Sequence, residues 1–266
     1  MVVNDVLKLF GDVDGVIILK YYFKMDKLFV YLNKDRVLEK EDEKLILNIY
    51  ERYKKDYPLQ YILGKWNFYG RDFYVEEGVL IPRFETEILV EKILELDSKI
   101  DDILEIGIGT GIISLTLALE KPNSRIIGVD ISKLAIELAT KNKEKYKVEN
   151  CKFIESNVYS NVDSNDKFDL IVSNPPYINK DDMDKLDRKL DYEPVNALYG
   201  GEDGLDFYRE IIKESVNYLK KDSYIALEIG YNQGKDIKKI LETNKFKEIQ
   251  VIKDYNDFDR CVIARR

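Results

Sequence analysis

The chain has 266 residues, 45% of them hydrophobic and 35% charged, and a net charge of −8. That length buries a core in one large domain or two unequal ones, and the acidic balance argues against broad phosphate-backbone binding, which needs clustered Lys and Arg. With no histidine and only Cys151 and Cys261, Ser-His-Asp chemistry, His-ligated zinc, a disulfide scaffold and Cys-x-x-Cys metal sites are excluded.

Residues 1 to about 60 read as helical, with apolar positions at helical spacing in Val6-Leu7-Leu9-Phe10 and Leu45-Ile46-Ile49-Tyr50-Tyr53. Gly11 and Gly15 flank an acidic break, and Glu39 to Lys44 reads as a solvated helix start. Between Gly64 and Pro82 the pattern turns strand-like, Trp66-Phe68-Tyr69 and then Phe73-Tyr74-Val75, separated by Gly70-Arg71-Asp72, which predicts a β-hairpin. From about residue 87 strands and helices alternate. Strands are expected at 103–106, 125–129, 152–154, 168–172 and 224–229, and helices at 112–119, 134–146, 207–219 and 235–241. Such alternation predicts a mostly parallel sheet covered on both faces. The segments 249–252 and 261–264 are expected as an antiparallel edge pair. No apolar run approaches a transmembrane span, and no basic region followed by an apolar stretch opens the chain, so a cytoplasmic protein without a membrane partner is expected.

Asn174-Pro175-Pro176-Tyr177 follows the strand-like run Phe168 to Ser173. Two prolines neither continue a ladder nor enter a helix interior, so the chain leaves the sheet as a stiff loop at the carboxyl end of a strand. An amide oxygen and backbone carbonyls there are acceptors suited to a planar –NH₂ group, and a tyrosine face can stack on it. Upstream, Glu105-Ile106-Gly107-Ile108-Gly109-Thr110-Gly111 joins the first strand of the alternating region to a helix. Its glycines alternate as G-x-G-x-G instead of the dinucleotide spacing G-x-G-x-x-G, and no Walker lysine follows. Asp130 ends the next strand, where a carboxylate can accept both hydroxyls of a ribose or cap the helix beginning near Ser132. Asn157 and Val158 follow the third strand.

Loop, acid and tetrapeptide together resemble the amino-methyltransferases of the seven-stranded, S-adenosylmethionine-dependent class. Further segments narrow the likeness to the HemK/PrmC family: Leu59-Gln60-Tyr61-Ile62-Leu63-Gly64 with Phe68-Tyr69-Gly70, Leu80-Ile81-Pro82-Arg83-Phe84-Glu85-Thr86-Glu87, Tyr192 to Leu198 with Gly201-Glu202-Asp203-Gly204-Leu205, and Leu227-Glu228-Ile229-Gly230 with Gln233-Gly234. The likeness covers nearly the whole chain from about residue 58.

The resemblance implies an α/β fold: a seven-stranded Rossmann-like methyltransferase domain (87–266) joined by a β-hairpin linker (63–86) to a small N-terminal helical substrate-docking domain (1–62). It implies methylation of the side-chain amide nitrogen of the glutamine in the Gly-Gly-Gln loop of class-1 peptide chain release factors, in a monomer that contacts no nucleic acid directly. It makes Asn174, Pro175, Pro176 and Tyr177 the catalytic loop. S-Adenosylmethionine would be held by Glu105, Gly107, Ile108, Gly109, Thr110, Gly111, Asp130, Asn157, Val158 and Asn174, with adenine near Asn157 and Val158. Two departures stand out: Phe84 replaces a proline usual in the family, and Asn157-Val158 replaces the acidic-aromatic pair of some members. An exocyclic-amino methyltransferase acting on nucleic acid, and a non-catalytic cofactor-binding module, remain the alternatives.

Overall fold

The α/β alternation builds a seven-stranded sheet in the computed structural model, which describes residues 1–96 and 99–266. The chain packs as two units. The smaller comprises Met1–Lys65 with Arg188–Tyr192, and the larger comprises Trp66–Asp187 with Glu193–Arg266.

In the smaller unit α1 (Val3–Phe23), α2 (Lys27–Leu32), α3 (Lys40–Tyr53) and α4 (Leu59–Leu63) follow one another. The break expected at the glycines is a kink inside α1, because Gly11 takes φ 79° and ψ 163° while Gly15 stays helical. A Cβ at Gly15 would meet Leu7 at 3.0 Å, so its bare backbone lets the two halves of the helix pack closely. Phe10 meets Tyr50 and Tyr53 edge-on at 5.4 and 5.0 Å, fastening α1 to α3. The Tyr21 hydroxyl donates to the Leu63 carbonyl at 2.7 Å and holds α4. Tyr192 donates to the Lys55 carbonyl at 3.0 Å and packs edge-on to Tyr57.

The larger unit begins with a two-stranded sheet, β1 (Lys65–Phe68) and β2 (Arg71–Tyr74). Its turn is Tyr69-Gly70, both at positive φ (49° and 73°), the backbone that a two-residue hairpin requires. Arg71 and Asp72, expected in the turn, therefore begin the second strand. Next comes α5 (Glu85–Leu94), to which the sequence reading assigned no helix. Its consecutive apolar residues Ile88, Leu89 and Val90 are all buried, so no one-sided stripe marks it.

Then follow β3 (Asp102–Ile106), α6 (Ile112–Glu120), β4 (Arg125–Asp130), α7 (Lys133–Tyr146), β5 (Cys151–Glu155), β6 (Phe168–Ser173), α8 (Lys180–Met183), α9 (Asp206–Tyr218), β7 (Leu219–Glu228), α10 (Gly234–Thr243), β8 (Lys247–Lys253) and β9 (Asp259–Arg265). Short 3₁₀ turns occupy Arg188–Tyr192 and Val195–Ala197. The sheet order is β5-β4-β3-β6-β7-β9-β8. Six strands run in one direction and β9 runs antiparallel between β7 and β8, so the last strand of the expected edge pair is interior. β7 starts five residues before the expected Tyr224, at Leu219, because its charged beginning, Lys220-Lys221-Asp222, carries no apolar signal.

Alternating strand residues feed two cores. Leu104, Ile127 and Ile171 pack under α9 and α10, while Ile103, Ile126 and Leu170 pack under α5 and α6. Strand order reverses between β3 and β6, and the carboxyl ends of parallel strands flanking such a reversal diverge into a crevice.

Asn142 on α7, fully buried, ties the hairpin to the glycine loop. It accepts from the Tyr74 amide at 2.7 Å and donates to the carbonyls of Tyr74 and Thr110 at 3.1 and 3.0 Å. Asn142→Ala removes three hydrogen bonds between a buried side chain and the backbone and should cost about 2–3 kcal/mol, read as a lowered midpoint in urea with an unchanged slope.

Candidate active site

β3 ends beneath the glycine loop. The amides of Gly107 and Ile108 both donate to the Val129 carbonyl, at 2.8 and 3.2 Å, which folds the loop over β4. Gly107 takes φ 74°, and a Cβ there would meet nothing within 4 Å, so the loop offers bare backbone to the crevice. Gly111 serves a different purpose. It starts α6 at φ 79°, and a Cβ would strike Ala139 of α7 at 2.9 Å.

Asp130 lies at the end of β4 and accepts from the Gly109 amide at 3.0 Å and the Ser132 amide at 2.8 Å. The cap of the following helix is supplied not by Asp130 but by Ser132, whose hydroxyl accepts from the Ala135 amide at 3.3 Å. Burial raises the Asp130 pKa above its ordinary value against the pull of those amides. Glu105, 1% exposed, accepts from the Ser114 amide at 2.7 Å and from the Ser114 hydroxyl. Burial pushes its carboxyl up to about 8, with the nearby Asp130 adding to the rise.

β6 delivers the Asn-Pro-Pro-Tyr loop to the same crevice. The buried Ser173 hydroxyl donates to the Ile106 carbonyl at 2.7 Å, pinning the end of β6 to the end of β3. Asn174 donates through Nδ2 to the Thr86 hydroxyl at 3.3 Å, and Thr86 donates in turn to Glu228 at 2.6 Å. Among the described residues nothing donates to Asn174 Oδ1. The Tyr177 carbonyl and the Gly204 carbonyl both accept from Gln233 Nε2, at 3.0 and 3.1 Å, while Gln233 Oε1 accepts from the Gly230 amide. A Cβ on Gly200 would fall 2.7 Å from the Pro176 carbonyl oxygen, so the glycines at 200 and 204 let their loop lie flat on the tetrapeptide. Glu193, 4% exposed, closes the other side: it accepts from the Ile81 amide at 3.0 Å and pairs with Arg83 at 2.6 Å.

Two adjoining pockets result, sharing Leu80, Gly107, Gly109 and Asn174. The larger is also lined by Val79, Asp130, Asn157, Val158, Pro175 and Pro176, and the smaller by Glu105, Ile108 and Thr110. The structure thus brings eleven of the thirteen expected positions, all but Gly111 and Tyr177, to a pocket wall. Tyr177 packs half-buried against the core under α9, and burial pushes its hydroxyl up to about 12. Phe84, in place of the family's proline, stands 59% exposed with its ring 6.2 Å from Trp66. Sequence reading assigned no role to Thr86, Glu193, Glu228 or Gln233. Each sits in a segment quoted above, but only folding brings it to Asn174 or its loop.

This donor set fits S-adenosylmethionine. A glycine edge admits a ligand against backbone, Asp130 offers a carboxylate to ribose hydroxyls, and Glu105 is a buried acid beside the loop that suits a cationic ligand. Comparison with known proteins agrees. Residues 84–190 match the model of the methyltransferase small domain, and residues 12–64 that of the PrmC N-terminal domain. A methyltransferase from Pyrococcus furiosus shares the fold, with TM-score 0.57 and 16% identity over 84% of this chain and 98% of that one. So does the T. thermophilus 16S rRNA N2 G1207 methyltransferase in complex with AdoMet and guanosine, with TM-score 0.55 and 17% identity over 76% of this chain and 49% of that one. Fold and site together define an S-adenosylmethionine-dependent methyltransferase.

The release factor glutamine methyltransferase of Fusobacterium nucleatum is 47% identical over 247 residues, 91% of this chain and 70% of the relative. That of Aquifex aeolicus is 40% identical over 256 residues, 95% and 90%. The chain belongs to the release factor glutamine methyltransferase family.

Glu105 retains its proton in the folded chain at pH values where the unfolded chain has lost it. Its contribution to stability is therefore full below the ordinary carboxylate range and is lost as pH rises from there through about 8. Glu105→Gln keeps an oxygen for both Ser114 donors and removes the titration. It should raise the ligand-free melting temperature by about 3–5 °C at pH 8.5 and change it little at pH 5, as followed by circular dichroism.

Proposed function

We propose that this protein methylates the side-chain amide nitrogen, N5, of the glutamine in the Gly-Gly-Gln motif of class-1 peptide chain release factors. The observation that carries this reading is Asn174 in the pocket wall, its Oδ1 receiving no bond from the described residues, on a loop stiffened by Pro175 and Pro176. An amide nitrogen is a poor nucleophile because its lone pair is delocalised into the carbonyl. Asn174 Oδ1 and the Pro175 carbonyl accept the two amide N–H groups, which orients the nitrogen and favours the positive charge that develops on it. Tyr177 packs against the core under α9 and anchors the end of the loop. The nitrogen would form one bond to the methyl carbon as that carbon's bond to the sulfonium sulfur breaks, leaving a neutral thioether, and would give up one proton to solvent. No general base is needed before attack, consistent with a chain that has no histidine.

S-Adenosylmethionine supplies an activated methyl group on a sulfonium. The backbone at Gly107, Ile108, Gly109 and Thr110 lies along it, Gly111 sets the loop, Glu105 faces its methionine end, Asp130 takes the ribose, and Asn157 and Val158 border the adenine. The helical unit docks the release factor. The reaction belongs to the cytoplasm and needs one copy of the chain.

Asn174→Ala should lower turnover about 100-fold or more while leaving cofactor affinity within about threefold, since it removes an acceptor that acts on the reacting amide. Asp130→Ala should do the reverse, weakening cofactor binding about tenfold or more by calorimetry. Mass spectrometry of a release factor incubated with the enzyme and S-adenosylmethionine tests the substrate directly. One added methyl on the Gly-Gly-Gln peptide, absent with Asn174→Ala, is expected. Label entering DNA or RNA instead would overturn the reading.

A further inference from the structure

Asn174 can serve a substrate amide in only one of its two orientations. With Oδ1 toward the pocket it accepts an N–H; turned by half a revolution it presents Nδ2, a donor facing donors. The side chain cannot select between these by shape, because its oxygen and nitrogen ends are almost equal in size. Selection has to come from its hydrogen-bond partner.

That partner is Thr86, 1% exposed at the start of α5. A hydroxyl has one proton. Thr86 stands 2.6 Å from Glu228 Oε2, and a carboxylate only accepts, so the proton is committed there. The Thr86 oxygen is left as an acceptor, and the Asn174 end facing it at 3.3 Å must be Nδ2. Oδ1 is thereby turned away from Thr86. Glu228 is 1% exposed at the end of β7, and its own backbone carbonyl is held by the buried Tyr208 hydroxyl at 2.7 Å.

We propose that Thr86 and Glu228 are positioning residues for methyl transfer, forming a directional hydrogen-bond relay that fixes the Asn174 amide with its oxygen toward the substrate. The inference rests on the amide-methylation reading given above. It gives a role to Glu228, which lines neither pocket, and to Thr86, which lines the smaller one beside Asn174.

The relay has a polarity, and the charge on Glu228 sets it. A protonated Glu228 donates to Thr86, which frees the Thr86 proton to turn to Asn174 Oδ1 and so brings Nδ2 into the pocket. Burial pushes the Glu228 carboxyl up to about 7. The charged and titratable groups around it are Arg260 and Cys261 from β9, Arg83 and Glu85 ahead of Thr86, Tyr177 from the catalytic loop and Tyr208 from α9. Arg83 and Arg260 favour the carboxylate and Glu85 opposes it, but each arginine is engaged elsewhere, with Glu193 and Asp254 respectively. Turnover therefore rises with pH as Glu228 ionises.

Steady-state methylation of a release factor by wild type, Thr86→Val, Thr86→Ser and Glu228→Gln, each with its cofactor affinity and melting temperature, tests the relay. Thr86→Val matches the shape and removes the hydroxyl; kcat should fall about 10- to 100-fold with cofactor affinity within about twofold. Thr86→Ser should restore most of it. Glu228→Gln no longer fixes the direction of the Thr86 proton and should lower kcat while flattening the acid limb that wild type shows near neutral pH. An active wild type with an equally active Thr86→Val variant overturns the relay alone. So does a serine variant as slow as the valine one, or an acid limb that survives in both Thr86→Val and Glu228→Gln. A wild type that methylates no release factor overturns the substrate reading, and this inference falls with it.

Discussion

The site depends on the pairing of β3 with β6. Ile106 and Ser173 are register partners at the ends of these strands, and the Ser173 hydroxyl closes the pair on the Ile106 carbonyl. One residue beyond each, the chains part, one into a glycine loop and the other into a proline-stiffened loop. A slip of one residue would exchange the faces of every strand side chain, taking Leu104 and Ile171 out of one core and Ile103 and Leu170 out of the other. The two cores therefore hold the two loops in place.

Around that junction the protein places acids in two different conditions. Glu193 is buried but meets the Arg83 guanidinium and the Ile81 amide, so it binds the segment after the hairpin to the segment after the Asn-Pro-Pro-Tyr loop. Glu105 and Glu228 are buried with only hydroxyl and amide donors, and their carboxyls stand far above the ordinary range. An acid without a paired cation weakens a fold once it ionises, and it is retained where its charge or its acceptor character has a use. For Glu105 the proposed use is a cationic ligand. For Glu228 it is the direction of a proton on Thr86.

The loops that close over the tetrapeptide follow the same economy of backbone. Gln233 spends both ends of its amide on three backbone groups, at Gly230, Tyr177 and Gly204, and Gly200 keeps a close approach that no side chain would allow. Asn142 does likewise for the hairpin and the glycine loop. Side-chain amides suit this purpose because one group satisfies a donor and an acceptor at once.

The alternation of short apolar strands with amphipathic helices determined the parallel sheet, because period 2 and period 3.6 are local properties of the chain. The alternating glycines and the paired prolines likewise announced two loops, since both residue types restrict or release backbone dihedrals by themselves. Helix α5 escaped detection because its buried run Ile88-Leu89-Val90 marks no single face, and the start of β7 because it is charged. Thr86 and Glu228 lie 142 positions apart, and Gln233 lies 56 positions from the carbonyl it holds. Only the sheet order brings those pairs within hydrogen-bond distance, and a hydrogen bond depends on distance and direction in space, which neighbouring letters do not encode.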